Sequence, residues 1–412
     1  MLRIRNTFLS VFGLACLQAS AANRPAPPFD VRLQRELFVS PTGSSANVGS
    51  MDSPWPLKYA LSHAGPGSII TLMPGTYGSI DLPDPVAMSG LTLRSRIKWG
   101  ARIIGSPGMN GITTQPGVSN VVIDGFEIAY SYIDGVKFND DGSTVRNCWI
   151  HHSGKGNPSA VINTDSSFTG QGVAAHNKYG TLIENNLIEN CGLWINHDHG
   201  IYINGTNNIV RGNVLRGNLA HGVQVYEDEP RAAANCQIYA NLIYGNGRGI
   251  VIYGQTNCTN YVFNNTVICT NSAVESTPIL SRRSGILAAT NNIALGNRYS
   301  IRSDDNGPGA SLIRADYNVV SNPAGGPHDR VASAVGFVAP ESGLYWLATV
   351  SAARGAANAT EIPPVNFFGK VQSGVADAGA LQYDSVLASD TRVLDPSGSA
   401  GADYWSNIGQ TH

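Results

Sequence analysis

Apolar and polar residues alternate along much of this chain in short runs of period two, and no helical period competes with them. Six runs share one template, x-Gly-apolar-x-apolar-x, beginning at Asp134, Gln171, His199, His221, Arg248 and Ser284. A second segment, apolar-x-x-Asn-apolar-apolar, interleaves with them and places Asn186, Asn213, Asn241, Asn265 and Asn292 at spacings of 27, 28, 24 and 27. Cys148 fills the Asn slot one period earlier. Each period of about 25 residues holds two or three short strands joined by Gly- and Asn-rich turns. A unit of that size cannot bury its apolar edge alone, so neighbours must stack. The pattern predicts an all-β parallel β-helix, a solenoid of roughly nine or ten coils. The Asn column then reads as a hydrogen-bonded ladder at a coil corner, without chemistry of its own.

The same alternation sorts side chains by face. Counting from the template Gly, positions +1 and +3 are apolar in most rows and point inward, among them Ile201, Ile203, Val223, Val225, Ile250 and Ile252. Position +2 faces outward with Lys137, Ala174, Tyr202, Gln224, Val251 and Leu287. Position +4 does so with Asn139, His176, Asn204, Tyr226, Tyr253 and Ala289. The residue before the Gly adds Asp134, Gln171, His199, His221, Arg248 and Ser284. Strands lie about 4.8 Å apart, so five rows span roughly 20 Å, the length of several sugars. A merely solvated face more often carries Ser, Thr, Asp and Lys than stacked Tyr and three His. Between Gly135 and Gly172 the coil carries an insertion running from His151 to Gly170, which is expected to wall one side of this groove.

Composition narrows the partners. Charged residues make up 14% of the chain, against about 25% in ordinary domains, and glycine is abundant at 46 residues. Arg3 and Arg5 precede an apolar stretch from Phe8 to Leu17 and the small triplet Ala19-Ser20-Ala21, so residues 1–21 are predicted to be a signal peptide and the protein to be secreted. Losing Arg3 and Arg5 takes the formal charge from −2 to −4, which gives nucleic-acid binding no support. No later stretch approaches the roughly 20 apolar residues of a membrane span. A monomer is expected, with a linker over 22–35, the helix domain over 36–385 and a tail over 386–412. The five remaining cysteines do not suggest a disulfide scaffold. A Cys236–Cys258 bond between adjacent coils would lie two positions out of register.

The run from His199 to Leu215, the opening Phe38-Val39-Ser40-Pro41-Thr42-Gly43-Ser44, the segment Pro74-Gly75-Thr76-Tyr77 and the closing Asp377-Ala378-Gly379-Ala380 together resemble the pectate-lyase-like superfamily of right-handed parallel β-helix proteins. The resemblance covers roughly residues 36 to 385. It implies a right-handed helix and leaves the reaction open, because that superfamily includes lyases, hydrolases, epimerases and plain binding proteins. Calcium assists several of its members, which points to Asp140-Asp141 or Glu227-Asp228-Glu229 as oxygen clusters for Ca²⁺.

An acidic polysaccharide is cut by β-elimination when a base removes the proton beside a uronate carboxylate, a donor or cation stabilises the enolate-like charge, and an acid protonates the leaving oxygen. The groove offers His199 or His221 as base, Tyr202 or Tyr226 as proton donor, and Lys137 or Arg248 beside the carboxylate, with His176 a further candidate. Gln224, Tyr226, Tyr253, Asn139, Asn204 and Lys178 are expected to contact substrate. C5-epimerisation begins with the same proton abstraction. Binding without turnover would use Tyr202, Tyr226 and Tyr253 as stacking platforms. A hydrolase needs paired carboxylates, and Asp134 and Asp198 fall two coils apart. His197-Asp198-His199 reads as structural or substrate-contacting, since alternation aims neighbours apart and no second pair at metal spacing accompanies it.

Overall fold

A computed structural model describes residues 36–385, apart from 83–87, 159–169, 228–231, 270–276, 284, 305–310, 364–366 and 368–375. The proposed signal peptide, linker and tail lie outside the described residues. Three long parallel sheets of 11, 9 and 11 strands run the length of a right-handed β-helix, and each coil visits the first, third and second sheet in turn. Nine coils contribute a strand to all three. A short helix, Leu57–His63, packs on the first strands of the solenoid.

The local reason for each corner is legible in the Asn pairs. Just before every rung of the Asn column sits a residue with left-handed φ: Asn185, Gly212, Ala240, Asn264 and Asn291, all between 51° and 65°. Gly and Asn adopt that conformation at least cost, so it turns the chain sharply from the first sheet into the third. The following Asn then points inward. The backbone N–H and Nδ2 of Asn213 both donate to Asn241 Oδ1 at 3.0 Å, Asn241 repeats this toward Asn265 at 3.1 and 2.9 Å, and the column continues through Asn292 and Asn318 to the carboxylate of Asp329. Cys148 joins the other end, its N–H donating to Asn186 Oδ1 at 2.9 Å. Two shorter columns that the repeat did not announce hold the other corners: Cys191–Asn218–Asn246 and, in two separate links, Thr181–Asn208 and Cys236–Asn260.

The interior is aliphatic. Ile201, Ile203, Val223, Val225, Ile250 and Ile252 are all at most 1% exposed, and each such side chain contributes about 1.5–3 kcal/mol of burial. The template glycines admit no side chain: a Cβ at Gly249 would lie 2.2 Å from Pro278 O and 2.2 Å from Val267 Cγ1. The five described cysteines are free thiols. The Cys236–Cys258 bond considered above does not form, because Cys236 is a buried corner rung whose Sγ donates to Gly205 O at 3.3 Å, whereas Cys258 lies half-buried beside Gln255.

Outer faces differ by sheet. On the first, charges neutralise one another in pairs, Arg94–Glu36, Arg146–Asp124 and Arg211–Glu184, at 2.7, 2.9 and 2.6 Å. On the third, Leu187, Val214 and Leu242 are covered by Leu344, Trp346, Phe367 and Leu381 from the returning C-terminal segment. The outward columns expected to form the groove lie on the second sheet.

Candidate functional site

Strand pairing in the second sheet sets Lys137, Ala174, Tyr202, Gln224 and Val251 side by side, with Asn204 next to Tyr226 and His221 next to Arg248. The predicted register therefore holds over five rows. It fails in the sixth. The strand after Arg248–Tyr253 is Ile279–Arg282, which places Leu280 beside Val251 and Arg282 beside Tyr253. Ser284 lies outside the described residues, and Leu287 and Ala289 are buried residues of the first sheet rather than outward groove positions. In that row Pro278 takes the place of the template Gly, so the x-Gly-apolar pattern is absent there. The phase of the Asn column held the missing signal: Gly172, Gly200, Gly222 and Gly249 precede the next column Asn by 14, 13, 19 and 16 residues, but Gly285 precedes Asn292 by 7.

The corrected row brings in cations absent from the sequence reading. Arg282 pairs with Asp304 at 2.7 Å and donates to Tyr253 Oη. Arg283, at φ 61°, donates to Tyr226 Oη at 3.0 Å and to Glu227 O at 3.1 Å while lying over the Tyr226 ring. Two of the expected platforms, Tyr226 and Tyr253, meet at a tilt of 48° with centroids 4.9 Å apart under this arginine pair. At the other end of the groove Lys178 Nζ donates to Asn139 O at 3.0 Å, and Lys137 Nζ lies 3.6 Å from Asp134.

Between these cationic ends lies a continuous run of rings. His176 stacks on Tyr202 at 4.5 Å, Tyr202 lies 6.0 Å from His199, and His199 meets His221 at 4.5 Å. Burial, with the nearby His221, His197 and Arg248, holds the His199 imidazolium well below the usual histidine range. Burial with Arg248 and Arg282 lowers His221 to about 3, and burial with Lys137 and Lys178 lowers His176 to about 4. All three rings are neutral at physiological pH.

Their supports come from preceding coils. Asp134 Oδ1 accepts from the Gln171 N–H at 2.9 Å, Gln171 Oε1 accepts from the His199 N–H at 2.6 Å, and Gln171 Nε2 donates to His197 O at 2.6 Å. Gln171 is thus a positioning residue for the strand carrying His199, a role its place in the column before the Gly did not reveal. Asp198 turns its Oδ2 to the Leu193 and Trp194 N–H groups at 2.7 and 2.9 Å, and His197 stacks on Trp194, so the His-Asp-His triplet disperses rather than converging.

Not every outward position is open. Asn204 is 0% exposed and neither polar atom of its side chain has a hydrogen-bond partner among the described residues. Gln224 is buried too, its Nε2 donating to Val225 O at 3.0 Å. Asp140 is buried with its carboxylate accepting from the Thr114 and Ser143 hydroxyls, and Asp141 Oδ1 accepts from the Tyr179 N–H at 2.8 Å, so that pair is engaged at a corner. Asp228 and Glu229, like insertion residues 159–169, lie outside the described residues.

Residues 110–268 match the family model described as a right handed beta helix region. No curated protein matches the chain. Among solved structures, a pectate lyase, Pel9A, aligns at a TM-score of 0.59 and 16% identity over 85% of this chain and 96% of its own. A complex of XylC with xylose aligns at 0.46 and 12% over 69% and 75%. The A-module of the Azotobacter vinelandii mannuronan C-5 epimerase AlgE4 aligns at 0.37 and 14% over 67% and 93%. The first of these likenesses shows the parallel β-helix fold.

Proposed function

We propose that this protein is a secreted polysaccharide lyase that cleaves a uronate-containing polymer by β-elimination. The observation that carries the reading is the run His176–Tyr202–His199–His221, four proton-handling side chains in ring contact. It is flanked by Lys137 and Lys178 on one side and by Arg248, Arg282 and Arg283 on the other. Cations at both ends suit a chain with a carboxylate on each side of the cleaved bond, and the neighbouring rings of Tyr226 and Tyr253 suit the apolar face of a sugar.

The chemistry follows from the neutral rings. An imidazole lacking its second proton has a free lone pair at physiological pH, and a phenol beside it has a proton to give. A substrate carboxylate held at Arg248 would cancel part of the charge that depresses His221, raising its basicity when substrate arrives. Tyr202, between His176 and His199, is the proton donor to the leaving oxygen in this reading.

The test is ultraviolet absorbance from unsaturated chain ends on pectate, alginate, glucuronan and glycosaminoglycans, with and without Ca²⁺. A rise on one polymer is the expected result. Solvent deuterium entering the sugar at C5 without unsaturated ends would identify an epimerase instead. Tight binding with neither signal would leave a carbohydrate-binding protein.

A further inference from the structure

His199 and His221 look interchangeable by column and burial, but their hydrogen bonds differ. The backbone N–H of His221 donates to His199 Nδ1 at 3.2 Å, within the interior of the second sheet. An accepting nitrogen carries no proton, so in the neutral ring the proton resides on Nε2. Nε2 has no hydrogen-bond partner among the described residues, and the ring faces Tyr202 and His221 on the groove side. The reverse tautomer would set Nδ1–H against the His221 N–H, leaving two buried donors facing each other, a cost of about 1–3 kcal/mol or more.

We infer that His199 is the hydrogen-bond donor of the site and not its base: its Nε2–H is aimed at the oxygen on which negative charge develops, the carboxylate of the sugar losing its C5 proton. This rests on the lyase or epimerase reading, with which it shares the proton abstraction. The proton leaves to another group, for which His221, His176 and Tyr202 remain. The groups facing His199 favour the neutral donor: His197 precedes it in the chain, His221 and Arg248 stand on the next two coils, and each would repel an imidazolium. A neutral imidazole donor stabilises a growing oxyanion without having to lose a proton itself.

Two substitutions separate the two ring nitrogens. His199→Gln places an amide nitrogen where Nε2 stood and gives up the acceptor for the His221 N–H. His199→Asn keeps an acceptor near the Nδ1 position and removes the groove donor. On the polymer that wild type turns over, the inference expects His199→Gln to retain turnover within about tenfold, and His199→Asn to lose about a hundredfold or more, the scale for losing one oxyanion donor. His199→Asn should nevertheless be the more heat-stable of the two. Equal and large losses in both would assign His199 as the base, and better activity in His199→Asn than in His199→Gln would reduce it to a support for His221; either overturns the inference.

The resting protein gives an independent reading through ¹⁵N NMR of the His199 ring. A neutral ring with the proton on Nε2 at pH 7 is expected, and Nδ1–H or an imidazolium there overturns the inference whatever the activity. Wild type without product or C5 exchange on any polymer, but with the Nε2–H tautomer present, would sink the functional reading while leaving the tautomer assignment standing.

Discussion

This molecule stacks polar side chains from coil to coil in two places, inside along the Asn column and outside along the groove. Both repeat at the coil spacing, and both are largely removed from water. In the column, Asn241 donates to Val210 O, Tyr239 O and Asn265 Oδ1, and accepts from two groups of Asn213. In the groove, His221 Nδ1 and both amide atoms of Asn204 are buried with no hydrogen-bond partner among the described residues. A buried polar group left unsatisfied costs about 1–3 kcal/mol, which the column avoids and this face does not. The column stabilises the fold; the outward face is the one proposed above to meet substrate.

The largest expected effect tests the column. Asn241→Ala deletes one rung and strands donors and acceptors on both neighbouring coils, which should lower unfolding free energy by about 3 kcal/mol or more in denaturant titration. Turnover per folded molecule should be unchanged. A stable Asn241→Ala protein would mean the ladder is ornamental and the contrast false.

Next comes the groove, where the signs reverse. Tyr202→Phe and His221→Ala should each reduce turnover about a hundredfold, equivalent to about 2.7 kcal/mol of transition-state stabilisation, with little change in melting temperature. Gln171→Ala should act more weakly and through position, raising KM together with lowering kcat. Normal turnover in all three would move the reactive centre toward Lys137, His176 and Lys178.

Acid separates the regions further. His176 and His221 have folded-state values lowered to about 4 and about 3, while in the unfolded chain they titrate near 6.5. The unfolded state therefore binds more protons across that window. Stability contributed by keeping these rings neutral is complete above about pH 6.5 and is lost as pH falls toward 3. In His221→Gln the fall in stability between pH 6.5 and 4 should be shallower than in wild type, whereas Asn241→Ala should fall as steeply as wild type does.

The smallest effect sharpens the column from its end. Cys148 occupies the rung position beside Asn186 and donates its Sγ to Arg146 O at 3.2 Å. Cys148→Asn would add an amide to a column already built to receive it, and should raise stability by about 1 kcal/mol, measured by the same denaturant titration.

Sequence alone determined the coil. Period-two alternation decides which side chains enter the core, and a left-handed residue followed by Asn decides where the chain turns; both act over fewer than about ten residues, so they can be read without knowing the neighbours. The face bearing Lys137, Tyr202, Tyr226 and Tyr253 followed directly. What lies above and below a residue was decided by tertiary structure, because contacts in a solenoid join positions one coil apart and the length of each coil varies. Pro278 replaces the glycine of one coil, and Arg282 and Arg283 reach Tyr253 and Tyr226 in a row that the template had given to Leu287 and Ala289. Alternation likewise pointed Asn204 and Gln224 outward, but in the folded chain both are buried. The tautomer of His199 depends on one amide from the next coil, a contact that no pattern within a single repeat contains.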